Sequence, residues 1–171
     1  MSKSHVASQA SEPTPAQFKE LFSQIQQGRV TKERLQTFLR GQEPAFPSNL
    51  VTVDHGRSVE QLVKDGRYDY SSSDITGRHF PSSGKGKVKV EIFLANFDTR
   101  ISSEAILQEA DKLSLRRPTV KEGLALGAQY PDLQREGPIT ILCEPWRNPS
   151  GDLDVPCLYR NGSDRNLDLG W

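Results

Sequence analysis

Asp54, His55, Asp74 and His79 are side chains whose types suit proton transfer, since carboxylates and imidazoles exchange protons near neutral pH. An enzyme built on those four is one reading of the chain. Adding Asp69, Cys143 and Cys157 widens the set to candidate metal ligands. Their spacings match no zinc pattern, because C-x-x-C, H-x-x-x-H and H-E-x-x-H are all missing. The three histidines (His5, His55, His79) and two cysteines lie in no family-specific catalytic signature, and there is no G-x-S-x-G elbow. Neither a metal nor a cofactor is expected. Cys143 falls in the apolar run Ile139 to Cys143, where a thiol is expected to be buried and inert.

Two segments suggest binding chemistry. Ser82-Ser83-Gly84-Lys85-Gly86-Lys87 is rich in Gly and Lys, but a phosphate loop follows a strand and opens a helix. This one leads into a strand, so it reads as a solvated turn. Lys85, Lys87, Lys89, Arg116, Arg117 and Lys121 could form a basic face, with Tyr68, Tyr70 and Phe93 as stacking aromatics for a single strand of nucleic acid. Against this stands a net charge of zero, from 22 basic and 22 acidic residues, and the lack of any RNP, KH or zinc-finger signature. A charged solvent face on a sheet is the simpler expectation. Trp146 and Arg147 lie near a hairpin tip, where they would anchor a partner or cover the open end of a small sheet.

The elements that would position these residues begin with an αα-hairpin. Residues 1–13 are polar and are expected to be a disordered tail. Thr14, Pro15 and Gln17 form a capping-box start, and Phe18, Leu21, Phe22 and Ile25 recur at helical spacing up to Gly28. Thr31 caps a second helix, carrying Leu35, Phe38 and Leu39 and ending at Gly41. Residues 42–49 hold two prolines and read as a linker, leaving 50–171 as the main domain.

That domain is expected to be α+β: an antiparallel or mixed sheet of about five strands, with helices packed on one side. Leu50 to Val53 is a strand, Ser58-x-x-Gln61 opens a short helix, and residues 67–86 form a long loop. Val88, Val90, Ile92 and Leu94 alternate with largely charged residues in the clearest strand. Ser102 and Thr119-x-x-Glu122 cap two further helices, and Gly123 and Gly127 would admit close packing on the second. Ile139 to Cys143 reads as a central strand returning through Asn148-Pro149-Ser150-Gly151 into Val155 to Tyr159. A turn centred on Ser150 would set Cys143 opposite Cys157. Asn161-Gly162 then leads into a last strand bearing Leu167, Leu169 and Trp171, expected at a sheet edge blunted by Asp164, Arg165 and Asp168.

Arg117-Pro118-Thr119, the run Gly127 to Arg135, Val155 to Tyr159 and Leu167-Asp168-Leu169 resemble an uncharacterised bacterial protein family frequent in uncultured and candidate-phylum genomes. The Gly28 to Lys32 connector and Glu33 resemble the front of the same proteins, so the likeness spans most of residues 15–171. It implies no activity. Members usually carry Gly-Ser where this chain has Cys143-Glu144, and often continue past Trp171 into another aromatic strand. No apolar run is long enough for a membrane span and no signal peptide opens the chain, so a cytoplasmic location is expected. The reading that best fits is a non-enzymatic binding or adaptor protein of the bacterial cytoplasm with an unknown protein partner. Its contacts would be Phe18, Phe22 and Phe38 on the hairpin and Trp146 and Arg147 on the main domain. A nucleic-acid-associated protein is the alternative, and the Asp/His enzyme a third.

Overall fold

The computed structural model describes residues 14–27, 30, 35, 48–96, 102–112 and 115–170. Most of the second hairpin helix, Phe38 and residues 42–47 of the expected linker lie outside them, as does Trp171. The chain divides into two compact units, Met1–Ala45 and Phe46–Trp171.

In the first unit, helix α1 (Pro15–Gln26) starts as its sequence dictates. The Thr14 hydroxyl accepts from Gln17 N–H (3.3 Å), while the Gln17 side chain accepts from Thr14 N–H (2.8 Å). Each satisfies an amide that a helix start leaves orphaned. No residue of α1 is buried, and Phe18 and Phe22, one turn apart, are 51% and 64% exposed.

The second unit is organised around one buried helix. In chain order its elements are β1 (Ser48–Asp54), α2 (Val59–Asp65), β2 (Tyr70–Ser71), β3 (Lys87–Phe93), α3 (Ser103–Lys112), α4 (Val120–Gln129) and α5 (Leu133–Glu136), followed by β4 (Ile139–Thr140), β5 (Trp146–Arg147), β6 (Leu153–Asn161) and β7 (Asp164–Gly170). Every residue from Val120 to Gly127 is buried, which marks α4 as covered on all sides. Val120 and Leu124 join a core with Ile141, Val155, Leu158 and Leu167. Ala125 and Leu126, facing the other way at 3.6 residues per turn, pack with Val51 and Val53. The helix therefore lies between two sheets.

One sheet is the antiparallel pair β1–β3, with Val51 opposite Val90 and Thr52 opposite Lys89. The outer edge of β1 is closed by α4 and the residue after it. The Gln129 amide accepts from Thr52 N–H (3.0 Å) and donates to Thr52 C=O (2.8 Å), and the Tyr130 hydroxyl donates to Leu50 C=O (2.9 Å). A side-chain amide thus takes the place of a neighbouring strand.

The other sheet has five strands and is mixed, in the order β2–β7–β6–β4, with β5 also on β6. Three expectations for its C-terminal strands are corrected here. The run Ile139 to Cys143 is not a central strand: only Ile139 and Thr140 pair, and they lie at the edge of the sheet. Near the turn, Trp146 is opposite Asp154, but farther along Thr140 is opposite Cys157. Five residues on one strand thus face two on the other. The interruption falls at Pro156, whose C=O accepts from Ile141 N–H (2.9 Å) and which has no N–H to return on that side. The freed segment turns tightly, with Cys143 N–H donating to Ile141 C=O (2.7 Å), and still buries Ile141 and Cys143. Cys143 is consequently not opposite Cys157.

The third correction concerns β7. It forms the expected hairpin with β6 through Gly162-Ser163, where Gly162 takes φ 61°, and Leu167 is fully buried. It is not an edge, because β2 pairs with it in parallel, Tyr70 opposite Asn166 and Ser71 opposite Leu167. Arg165 is buried and does not guard an edge with its charge. The Asp168 carboxylate accepts from the neighbouring Leu169 N–H (2.9 Å). Residues 67–86 are likewise more than a loop, supplying β2 and the buried core residues Ile75 and Phe80.

Candidate functional site

The side chains suited to proton transfer do not converge. Asp74 and His79 belong to one turn, where His79 Nδ1 lies 2.8 Å from Asp74 C=O and 3.9 Å from its carboxylate. A carbonyl only accepts, so the imidazole proton sits on Nδ1. The His79 ring stacks on Trp146 at 4.1 Å and 8°, and Phe80 meets the same indole edge-on. Trp146 is therefore half-buried packing against the core. His55 lies elsewhere, its ring under Gly84, where a Cβ would overlap it. Asp54 accepts from Gly56 N–H (3.0 Å) and faces Lys87 at 3.7 Å. Asp69 accepts from Arg165 N–H (2.7 Å). Among the described residues no three His, Cys, Asp or Glu side chains come together to hold a metal ion. Burial pushes the Cys143 thiol up to about 12, leaving a negligible thiolate fraction at neutral pH. Burial also raises the Cys157 thiol, whose Sγ lies 4.0 Å from the Thr140 hydroxyl.

Several of the basic residues are engaged in local contacts. Lys121 is buried and donates to His55 C=O (2.9 Å), Arg116 is bonded to Glu122, and Arg117 lies 3.6 Å from Glu144. Lys87 is exposed on β3 beside Asp54. Arg147 turns back onto Gly151 C=O in its own hairpin.

Two features escaped the sequence reading. The first is a polar knot in the core. Arg165 Nε donates to the Gln134 side chain (3.2 Å), Nη1 to Gly66 C=O (2.7 Å) and Nη2 to Gly127 C=O (2.7 Å). Those carbonyls sit at the C-terminal ends of α2 and α4, where the helix dipole favours a cation. Gln134 in turn donates to Tyr159 C=O (2.7 Å), and the Tyr68 ring lies 5.1 Å below the guanidinium. The group is fully engaged and has a structural task.

The second is a cleft of about 540 Å³ between β3 and α3. Its apolar lining comes from Val90 and Ile92 on β3, Ile106 and Leu107 on α3, and Leu115 and Leu142 in the connections, with Glu91, Glu109, Asp111, Arg116 and Arg117 also bordering it. Helix α3, whose start is capped by the Ser102 hydroxyl accepting from Ala105 N–H (3.3 Å), contributes Ile106, Leu107 and Ala110 to this space. Glu122 lines the cleft too, its side chain only 4% exposed. It accepts from Arg116 Nη1 (2.9 Å) and Nη2 (2.6 Å), and from Thr119 N–H (2.7 Å). Burial pushes the Glu122 carboxyl up, but the bonds from Arg116 and Thr119 outweigh it and hold the group below the ordinary carboxylate range. An apolar pocket of this size holding an ionised, nearly buried carboxylate has the character of a small-ligand site. The apolar periodicity of residues 106–115 and the Thr119-x-x-Glu122 box were visible signals, but neither says that the two face one space.

Comparison with known protein families, curated proteins and solved structures finds no match. Among the described residues no helix is long and apolar enough to cross a membrane.

Proposed function

We propose that this is a non-catalytic binding protein whose ligand occupies the cleft between β3 and α3. One observation carries the reading: the 540 Å³ space walled by Val90, Ile92, Ile106 and Leu107, within the range of small-molecule sites. An apolar wall left facing water is unfavourable, at about 25 cal/mol per Å² of surface, and a ligand that covers it recovers that energy. The scatter of Asp54, His55, Asp74 and His79 among separate local contacts supports binding over catalysis. The adaptor role and the bacterial cytoplasmic setting suggested by the family resemblance are compatible with this reading.

The test uses N-phenyl-1-naphthylamine, a neutral apolar dye whose emission rises on leaving water. The expected result is saturable binding at one site per chain, lost in Leu107→Glu, which places a charge on the α3 wall without touching either core cluster. Non-saturable emission, or binding that Leu107→Glu leaves intact, would remove the cleft as the site.

A further inference from the structure

We infer that the cleft takes a ligand with a cationic head, guanidinium or ammonium, on an apolar body, and that the head replaces the Arg116 guanidinium on Glu122. The inference rests on the cleft being the binding site and adds the chemistry of what enters it. Glu122 is an ionised carboxylate on the wall of an apolar space, and a carboxylate so placed requires a cation. That cation is at present Arg116, which approaches from the connection before α4. Its own side chain is 64% exposed, against 4% for Glu122. Arg116 Nη1 also donates to Arg117 C=O (2.9 Å), and because the guanidinium is already largely hydrated, water readily replaces the bonds it loses on leaving Glu122. The buried partner is fixed and the exposed one is replaceable.

Glu91, Glu109 and Asp111 also border the cleft, as does Arg117, which lies 3.6 Å from Glu144. Glu109 is bonded to Lys112 and Glu91 accepts from the Ser48 hydroxyl (2.6 Å), so the preference for a cation comes from Glu122. Thr119 N–H stays on the carboxylate throughout, so the cap of α4 survives the exchange.

The experiment titrates full-length protein with n-hexylguanidinium, 1-hexanol and hexanoate, which share a tail and differ in head charge. Binding is read by displacement of N-phenyl-1-naphthylamine and by the methyl NMR shifts of Ile92, Ile106 and Leu107. In the wild type, hexylguanidinium should bind about tenfold more tightly than either partner, the scale of one charge-assisted hydrogen bond. Arg116→Gln should tighten hexylguanidinium further by removing the internal competitor. Glu122→Gln retains an acceptor for Thr119 N–H, so the helix cap persists, and should abolish the preference while the dye still binds. Equal affinity for the three probes, a preference for hexanoate, or a cation preference that survives Glu122→Gln would overturn the inference and leave the cleft standing. Failure of the dye as well would overturn both.

Discussion

Arg165 and Glu122 are both buried charges, and the structure neutralises them differently. Arg165 is held by two carbonyls and an amide, with no carboxylate on its side-chain nitrogens among the described contacts. Removing it strands Gly66 C=O, Gly127 C=O and the Gln134 oxygen, each at about 1–3 kcal/mol if left unsatisfied. Arg165→Met should therefore destabilise the protein by about 3 kcal/mol or more. Arg165→Lys should recover only part of this, because an ammonium cannot span three acceptors in one plane. A urea denaturation midpoint close to wild type for Arg165→Met would show that the knot contributes little. Glu122 yields a pH dependence. Its folded carboxyl titrates below the unfolded value of about 4.3, so the native state binds fewer protons. The stabilisation is present above that value and is lost as pH falls through the folded pKa. Urea midpoints should fall between about pH 5 and pH 3 in the wild type, and less steeply in Glu122→Gln. Some slope will remain, since the Gly77 N–H also holds the Glu60 carboxyl low. Identical slopes in the two proteins would remove Glu122 from the acid transition.

Helix α4 shows how packing can reverse a propensity. Gly→Ala inside a helix is ordinarily favourable by about 1 kcal/mol. A Cβ on Gly127 would overlap the Tyr68 hydroxyl and approach Leu158 Cδ1 to 3.1 Å, and one on Gly123 would run into Ile141. Overpacking of this kind costs about 1–3 kcal/mol. Gly127→Ala should thus lower stability despite its better helix former. The Tyr68 hydroxyl is buried without a hydrogen-bond partner among the described residues. Tyr68→Phe should accordingly be near neutral alone, and in Gly127→Ala/Tyr68→Phe it should restore part of the loss. Thermal melts of the two single variants and the double complete the cycle. A stabilised Gly127→Ala would mean that α4 is not clamped as closely as its contacts indicate.

At the scale of the whole chain, the Phe46–Trp171 unit contains both core clusters and every strand described. It should fold when expressed alone, giving a cooperative thermal transition. Deleting residues 165–171 from the full chain has a contrasting expectation. It removes Arg165 and Leu167, and with them the strand between β2 and β6. That truncation should lose its dispersed NMR spectrum rather than merely melt a few degrees lower. A folded spectrum with 165–171 absent would show that β7 is an accessory to the sheet.

What the chain alone determined is its local chemistry. Thr14 with Gln17, Ser58 with Gln61 and Thr119 with Glu122 each close a capping box four residues long, and all three helices begin there. The turn after β6 was also legible, although its two central residues are Gly162-Ser163 and Asn161 pairs with Asp164, one residue on from the expected Asn161-Gly162. Pro156 was legible as well, but its effect needed the neighbouring strand, since a missing donor matters only on the side where one is wanted. Tertiary structure alone decided the fate of Arg165, read from sequence as an exposed edge charge. Its acceptors lie 99, 38 and 31 residues away, and no local pattern announces them. The same holds for the partition into two sheets. Alternation says which face of a strand is apolar, but which strand lies beside it follows from burying α4 on both sides. The cleft is the furthest from sequence, because a space between β3 and α3 exists only once both have been placed by other contacts.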